Sequence, residues 1–134
     1  MMWALDSKPQ DEDASQTVVA DEPEKEEAPP RIVCRRCATF LSEEKAVFSV
    51  TEGGAVQVFP NPSGWLRKIV TVRWAENLVP VSRPTTDFTW FAGYAWTIVT
   101  CAGCAAHLGW LYEDVANQSI ASFYGLLVAE VERS

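Results

Sequence analysis

Two cysteine pairs place the strongest constraint on this sequence. Cys34 and Cys37 form the first pair, Cys101 and Cys104 form the second, and 63 residues separate the pairs. Each two-residue spacing turns two thiolates to one side, where both can reach one tetrahedral Zn²⁺ ion at about 2.3 Å. The sequence therefore predicts one structural zinc ion per chain, held by four sulfur atoms, which joins the start of a domain to its later half.

Four sulfur ligands fill a tetrahedral zinc site and leave no position for a catalytic water. Two other interpretations of the cysteines remain open, namely four reduced thiols and a single redox-active pair. His107 is the only histidine and follows Cys104 by three residues. Because four sulfurs already satisfy zinc, we expect this histidine to have a structural role, as a hydrogen-bonding group in the turn before Leu108.

Acidic residues are concentrated at one end of the chain. Residues 1–30 contain nine acids and two lysines, which account for the whole formal net charge of −7, whereas residues 31–134 contain nine acids and nine bases. Prolines and polar residues fill the first segment, so it cannot bury enough apolar surface to offset its ordering entropy. We therefore expect an acidic disordered tail at 1–30, with a partner-binding role left open, and one domain at 31–134.

The sequence predicts no contact with a membrane or with nucleic acid. No apolar run approaches the roughly 18–20 residues of a membrane span, and the N-terminus lacks the pattern of a signal peptide. Close cysteine pairs are then typical of metal binding inside the cell, and we expect a cytoplasmic monomer. The charges of the domain balance, so it offers no basic face to a phosphate backbone.

Short apolar runs separated by turn residues predict a mainly antiparallel β architecture. Glu52-Gly53-Gly54 indicates the tight turn of a hairpin, and the segment from Pro60 to Gly64 indicates a loop. No long stripe of period 3.6 predicts a helix, although Leu126-Leu127 leaves one possible near the C-terminus. The predicted strands lie at residues 32–33, 47–51, 55–59, 69–74, 96–100 and 122–131.

Three of the six tryptophans, Trp90, Trp96 and Trp110, fall within 21 residues. The segment from Asp87 to Trp96 follows a proline-broken stretch and has Gly93 in its middle, which indicates a loop. An indole combines an apolar face with an N–H group that needs a polar partner. Beside a rigid metal site, such a loop favours an aromatic wall for a small flat ligand with a polar rim. Core packing is the alternative.

Several motifs occur together in the order found in one known family. They are Asn61-Pro62-x-Gly64, Trp90-Phe91-x-Gly93-Tyr94-x-Trp96-Thr97, Cys101-x-x-Cys104, His107-x-Gly109-Trp110 and Phe123-Tyr124-Gly125-Leu126. With the first cysteine pair, they resemble the CULT domain, the thalidomide-binding domain of cereblon. The resemblance covers about residues 31–131.

The resemblance implies a β-tent fold, in which two antiparallel sheets meet at an angle and one zinc ion pins them through the four cysteines. It also implies an aromatic cage for cyclic imides such as glutarimide, succinimide and thalidomide-type drugs, and for uridine-like rings. Backbone groups at Phe88 and Trp90 would hold the imide, and Asn61 would cover the mouth. Carried over by position, the ligand-binding residues are Asn61, Phe88, Thr89, Trp90, Trp96, Trp110 and Tyr112.

Three positions differ from the family pattern. Ser63 and Phe88 stand where the family has histidines, and Tyr112 replaces a phenylalanine, which adds a hydroxyl group to the implied cage. The implied partner is a small cyclic imide or a protein that carries a C-terminal cyclic imide. Because no protease-like domain precedes residue 31, the resemblance indicates a stand-alone member of the bacterial type, to which no substrate-receptor role is transferred.

Two rival functions differ in class from small-molecule binding. Methionine sulfoxide reductases of the B type share a zinc-pinned β architecture, but they need a catalytic cysteine beyond the four ligands. This chain has four cysteines in all, so no nucleophile remains and we expect no enzymatic activity. A zinc-ribbon module for protein interaction is the other alternative.

Overall fold

The computed structural model describes residues 29–134, which form nine β-strands and two short 3₁₀ helices. The strands are β1 (Arg31–Cys34), β2 (Phe40–Glu43), β3 (Val56–Pro60), β4 (Leu66–Val72), β5 (Leu78–Pro80), β6 (Tyr94–Cys101), β7 (His107–Asp114), β8 (Ser122–Leu127) and β9 (Val131–Arg133). The 3₁₀ helices are Glu44–Ala46 and Val128–Glu130, and no helix of the described part could cross a membrane. Except for Pro29 and Pro30, the predicted acidic tail lies outside the described residues.

The strands are arranged in two antiparallel sheets. The larger sheet has six strands in the order β3-β4-β8-β7-β6-β5, and the smaller sheet has three in the order β9-β1-β2. Strands β8 and β9 follow each other in the chain but belong to different sheets, with the 3₁₀ helix Val128–Glu130 between them. The predicted fold class, mainly β with two antiparallel sheets, is confirmed.

Two clusters of buried side chains cover the two faces of the large sheet. The first is mainly aliphatic and joins the two sheets; its members include Ile32, Leu41, Val70, Val72, Leu108, Leu126 and Val131. The second is mainly aromatic and consists of Ile69, Phe91, Tyr94, Tyr112, Phe123 and Leu127. Strand β4 supplies Val70 and Val72 to the first cluster and Ile69 to the second. Side chains alternate between the two faces of a strand, and both faces of β4 are covered. Consecutive residues of β4 are therefore buried.

The hairpin predicted around Glu52-Gly53-Gly54 is wrong. Residues 47–51 form no strand, and β3 pairs with the following strand β4, so the loop at 61–65 makes the hairpin turn. The physical reason lies at Phe48. Its N–H donates to the carbonyl of Thr71 at 3.1 Å, and its own carbonyl accepts from the Thr71 hydroxyl at 2.6 Å. The segment is thus held against β4, and its backbone is not available to β3.

Other predicted boundaries also change. The closing strand predicted at 122–131 is divided into β8 and β9, which lie in different sheets. Strand β7 was not predicted, and residues 94–96 belong to β6 and not to a loop. In β7, a Cβ atom at Gly109 would lie 2.0 Å from the carbonyl oxygen of Gly125 on β8. A glycine that resembles a strand breaker is therefore what lets these two strands approach each other.

Candidate metal centre and aromatic pocket

Each cysteine pair occupies the same kind of turn at the end of a strand. After β1, the N–H of Cys34 donates to the carbonyl of Thr39 at 2.9 Å, and the N–H of Ala38 donates back to Cys34 at 2.8 Å. After β6, Cys101 makes the equivalent bonds with Ala106 and Ala105, both at 2.8 Å. Ala38 and Ala105 both adopt positive φ, at 64° and 65°. We call these two turns, residues 34–39 and residues 101–106, the cysteine arms. The two arms match, and they present their sulfur atoms in the same way.

The two arms meet with the spacing that a tetrahedral zinc ion requires. All four Sγ atoms lie within 4.8 Å of one another. The Sγ atoms of Cys34 and Cys104 are 3.7 Å apart, and those of Cys37 and Cys101 are 3.5 Å apart. Four sulfurs at about 2.3 Å from one ion stand about 3.8 Å from each other. The donor set and its geometry therefore fit one zinc ion, which would link the small sheet through β1 to the large sheet through β6.

The surroundings of Cys34 and Cys37 distinguish the two thiols of the first arm. Burial raises the pKa of the Cys34 thiol to about 11. The hydroxyl of Thr39, 3.0 Å from the Cys37 sulfur, lowers the pKa of that thiol to about 6. At Gly103, an added Cβ atom would lie 2.4 Å from the Thr39 hydroxyl and 3.1 Å from the Cys37 sulfur. The second arm can approach the first because this position has no side chain.

A separate cavity of about 160 Å³ lies among the tryptophans. Its lining residues are Asn61, Pro62, Phe88, Trp90, Trp96, Trp110 and Tyr112. We call this cavity the aromatic pocket. Six of the seven residues carried over from the CULT resemblance line it, whereas Thr89 does not. The Thr89 hydroxyl donates to the carbonyl of Phe91 at 3.2 Å, within its own loop. Pro62 is an additional lining residue, and its position directly after Asn61 was the available signal.

Strand pairing and hydrogen bonds fix the walls of the aromatic pocket. Trp96 on β6 lies directly opposite Tyr112 on β7. The indole N–H of Trp96 donates to the carbonyl of Asp87 at 2.7 Å. The indole N–H of Trp90 donates to the carbonyl of Pro60 at 2.9 Å. One bond ties Trp96 to a neighbouring loop and the other ties Trp90 to the end of β3, so these two rings keep one orientation.

Aromatic packing supports the same walls from behind. Phe59 stacks on Trp90 with ring centroids 5.0 Å apart and planes at 10°. Trp110 packs edge to face against Trp90, with centroids 5.0 Å apart and planes at 73°. Trp110 also packs edge to face against the ring of His107, with centroids 5.0 Å apart and planes at 89°. Such contacts add to the burial of each ring, and the pocket wall is therefore an extension of the aromatic core.

His107 has a place beside the pocket wall and outside the metal cluster. Its Nε2 atom lies 3.1 Å from the carbonyl oxygen of Gly109. Burial lowers the pKa of His107, with the Gly109 hydrogen bond opposing that effect. The four-cysteine cluster does not include it. The histidine thus has a hydrogen bond, as the sequence predicted, but the bond lies within β7 and not in the turn before Leu108.

Phe88 is at the mouth of the pocket in an unusual conformation. Its φ is 58°, a region that large side chains seldom adopt. Its ring is 73% exposed. The flanking residues hold this turn, because the N–H of Asp87 donates to the Thr85 hydroxyl at 3.0 Å and the N–H of Thr89 donates to Thr86 at 3.2 Å. Strain of this kind is concentrated at binding sites, where the surrounding structure maintains it.

Comparison with known proteins agrees with this geometry. A family model described as "Yippee zinc-binding/DNA-binding /Mis18, centromere assembly" matches residues 31–133. The chain belongs to this family. Because the family is zinc-binding and the four cysteines are clustered with the required spacing, the predicted structural zinc ion is confirmed as the cofactor of this Yippee–Mis18 domain.

Among curated proteins, the domain is similar to cereblon from several animals. It is 36% identical to the Danio rerio protein over 97 residues, which are 71% of this chain and 22% of that protein. It is 35% identical to the Gallus gallus protein over 97 residues, again 71% and 22%. It is 34% identical to the Drosophila melanogaster protein over 101 residues, which are 73% of this chain and 17% of that protein. The chain thus spans about a fifth of the length of these relatives.

These matches confirm the resemblance to the CULT domain of cereblon. They also suggest the general role of the Yippee–Mis18 domain, that of a binding domain. Of the residues that the sequence singled out, the structure brings the four cysteines into one cluster and six of the proposed ligand-binding residues around one cavity.

Proposed function

We propose that residues 31–134 form a ligand-binding domain that captures a small cyclic imide in the aromatic pocket. The observation that carries the proposal is the convergence of three indoles and one phenol on a cavity of about 160 Å³. In another protein, an apolar cavity of about 150 Å³ holds one benzene molecule. The aromatic pocket therefore has room for a single five- or six-membered ring.

Free backbone groups beside the rings suit the polar edge of an imide. Within the described part of the chain, neither the N–H nor the C=O of Phe88 and Trp90 is hydrogen-bonded to another residue. An imide presents an acceptor, a donor and a second acceptor along one edge. A carbonyl from the Phe88 turn can accept from the imide N–H, and backbone N–H groups can donate to its oxygens. The positive φ of Phe88 turns its peptide groups away from the regular direction of the chain.

The mouth of the pocket is open to a ligand that extends into solvent. Phe88 is 73% exposed, and Pro62 is exposed on the facing loop. That loop is itself compact, since the side-chain oxygen of Asn61 accepts from the N–H groups of Ser63 and Trp65, both at 3.0 Å. The ligand is therefore a free cyclic imide or a cyclic imide at the C-terminus of a protein, with its ring buried and its remainder outside.

Catalysis and DNA binding are supported less well. All four cysteines of the chain belong to the metal cluster, so a sulfoxide reductase mechanism would have no nucleophile. The family description includes DNA binding, but residues 31–134 contain nine acids and nine bases. A domain without excess positive charge gains little from a phosphate backbone.

Titration of the protein with glutarimide, followed by tryptophan fluorescence, tests the proposal. Trp96→Ala removes one wall of the pocket and should abolish the response, with zinc content and circular dichroism unchanged. Trp65→Ala is the matched control, because its indole is 73% exposed, does not line the pocket, and its bonds to Asn61 use backbone atoms. Unchanged glutarimide affinity in Trp96→Ala would refute the proposed site.

A further inference from the structure

A second cavity lies outside the aromatic pocket, between the start of β4 and the 3₁₀ helix Val128–Glu130. Its volume is about 460 Å³. Residues 65–68 form one wall and residues 127–130 form the other, so it lies where the chain passes from the large sheet to the small one. We call this cavity the β4 groove. It shares no lining residue with the aromatic pocket.

The β4 groove has an apolar surface that no described residue covers. Trp65 and Leu66 are 73% and 69% exposed. Leu66 and Lys68 are two positions apart on β4 and therefore share one face of the strand. Val58 of β3 lies opposite Lys68 and is 50% exposed. Neighbouring apolar side chains that are exposed together are typical of a surface that binds another segment.

The β4 groove is also positively charged. Its cations are Arg67 and Lys68, and neither forms an ion pair with any residue between 29 and 134. Its one acid, Glu130, lies 3.6 Å from the guanidinium group of Arg36. The groove therefore offers two cations beside an apolar surface. This combination is complementary to a segment that is acidic and partly apolar.

The segment that precedes β1 has the complementary composition. Residues 18–28 contain five acids and one lysine, and they begin with Val18 and Val19. Residues 31–134 contain equal numbers of acids and bases, so the excess negative charge of the chain lies ahead of them. A segment that is joined covalently to the domain has a high effective concentration at the groove. Contacts between exposed charges, which are individually weak, can then be sufficient for docking.

The point at which this segment joins the domain places it within reach of the β4 groove. Strand β1 begins at Arg31, and after its other end the N–H of Arg35 donates to the carbonyl of Glu130 at 3.0 Å. The four residues of β1, about 13 Å of strand, therefore separate Arg31 from that end of the groove. An extended chain spans about 3.3–3.6 Å per residue, so the acids of residues 18–28 can reach the groove.

We propose that residues 18–28 dock in the β4 groove of their own chain. Their acidic side chains pair with Arg67 and Lys68, and their apolar residues lie against Trp65 and Leu66. The docking is independent of the imide function, because the β4 groove and the aromatic pocket share no residue. The partner of the acidic segment is then the domain that follows it in the same chain.

Backbone NMR relaxation of the zinc-loaded full chain tests the docking. At low salt, the order parameters of residues 18–28 should exceed about 0.6, the value below which a backbone is flexible. The double variant Arg67→Glu, Lys68→Glu reverses the charge of the groove and should lower them below that value. Raising the salt concentration of the wild type from about 0.01 M to about 1 M should do the same, because the Debye length falls from about 30 Å to about 3 Å.

The matched control is the double variant Lys45→Glu, Arg83→Glu. It changes the net charge by the same amount at two cations outside the β4 groove. The order parameters of residues 18–28 should stay at their wild-type values in this control. A loss of order as large as that in the groove variant would overturn the proposal, because the overall charge would then explain the effect.

A second variant changes the acidic segment and leaves the domain intact. Glu24→Gln, Glu26→Gln and Glu27→Gln together remove three negative charges. This variant should move the amide signals of residues 65–68 in the same direction as high salt moves them in the wild type. If the groove variant fails to fold, this measurement decides, and unchanged signals of residues 65–68 overturn the docking.

The remaining outcomes identify other occupants of the groove. Equal order parameters of residues 18–28 in the wild type and the folded groove variant would overturn the docking. Order parameters that rise with protein concentration would show that the segment occupies the groove of a second copy, which contradicts docking within one chain. Titration of the same samples with glutarimide tests the imide function separately, since loss of docking should leave glutarimide binding unchanged.

Discussion

The Sγ atoms of Cys34 and Cys104 lie 3.7 Å apart although 70 positions separate the two residues in the chain. Cys34 is the last residue of β1 in the small sheet, and Cys104 lies three residues after the end of β6 in the large sheet. A zinc ion between them therefore closes most of the domain into a loop. In zinc-finger peptides, structural zinc binds with an apparent free energy of about 10–16 kcal/mol, comparable to the whole stability of a small domain.

The first prediction concerns removal of one ligand. Cys101→Ser should lose the zinc ion and unfold, because three thiolates and a hydroxyl no longer satisfy the tetrahedral site. Atomic emission should give about one zinc ion per wild-type chain, and circular dichroism should report the loss of β structure in the variant. Removal of zinc from the wild type by a strong chelator should have the same effect. A metal-free Cys101→Ser protein that remains folded would contradict the structural role of zinc.

The second prediction concerns the close approach of the two cysteine arms. Gly103→Ala places a Cβ atom 2.4 Å from the Thr39 hydroxyl, so it should weaken zinc binding measured by competition with a chromogenic chelator. Thr39→Ala removes the obstructing hydroxyl, and the double variant should lose less affinity than the two single changes added together.

Gly53→Ala is the control for this steric argument. There an added Cβ atom would meet only the flexible end of the Gln57 side chain, and Gly53 does not belong to either cysteine arm. Zinc affinity should stay at the wild-type level. Strict additivity of the Gly103 and Thr39 effects would show that they do not act through one contact.

The third prediction concerns pH. Burial lowers the pKa of His107 from its ordinary 6.5. In the window below 6.5 the unfolded chain therefore binds a proton that the folded domain does not, and stability falls as pH falls through that window. His107→Gln can keep a hydrogen bond to Gly109 without this titration. The difference in unfolding free energy between the two proteins should change from pH 7.5 to 5.5, by less than about 1.4 kcal/mol per pH unit.

Urea unfolding of both proteins, with zinc in excess, measures that difference. Protonation of the cysteine ligands affects the two proteins equally, so it cancels in the comparison. A wild-type protein that gains stability relative to His107→Gln on acidification would show that the histidine is charged in the fold.

The metal centre could be predicted from sequence because its signal is local. Two cysteines with two residues between them form one arm by themselves, as the matching bonds of Cys34 and Cys101 show. The cysteine spacing does not predict the contact between the two arms. Gly103 and Thr39 are 64 positions apart, and only the folded chain reveals that one must lack a side chain for the other to support Cys37.

Strand pairing was harder to predict because tertiary contacts override a local turn. The Gly53-Gly54 pair is a typical hairpin signal, but the preceding segment is bound to β4 through Phe48 and Thr71. The true hairpin turn contains Asn61, whose side chain caps two N–H groups of the loop. Nothing within either short segment indicates which of the two turns joins neighbouring strands.

The aromatic pocket was predicted from the clustered tryptophans and the motifs shared with the CULT domain, and not from a periodic sequence pattern. Trp90, Trp96 and Trp110 come from a loop and two strands, and no regular spacing relates them. Tyr112 was visible in the sequence only as one added hydroxyl relative to the family pattern. Its burial in the pocket wall is a property of the folded domain.

The fourth prediction tests the imide site through the donor at the centre of its polar edge. Glutarimide and N-methylglutarimide differ only at the imide nitrogen. Methylation removes the hydrogen-bond donor and adds a methyl group in a cavity of about 160 Å³. A buried backbone acceptor left without its donor costs about 1–3 kcal/mol, and the steric overlap adds to this. The N-methyl compound should therefore not bind at concentrations at which glutarimide saturates the protein.

Isothermal titration calorimetry of the wild-type, zinc-loaded protein with these two compounds is the most direct measurement of the central claim. We predict a one-to-one binding isotherm for glutarimide and no detectable heat of binding for N-methylglutarimide. Equal affinity for the two compounds, or no binding of glutarimide, would contradict the proposal that the aromatic pocket recognises the edge of a cyclic imide.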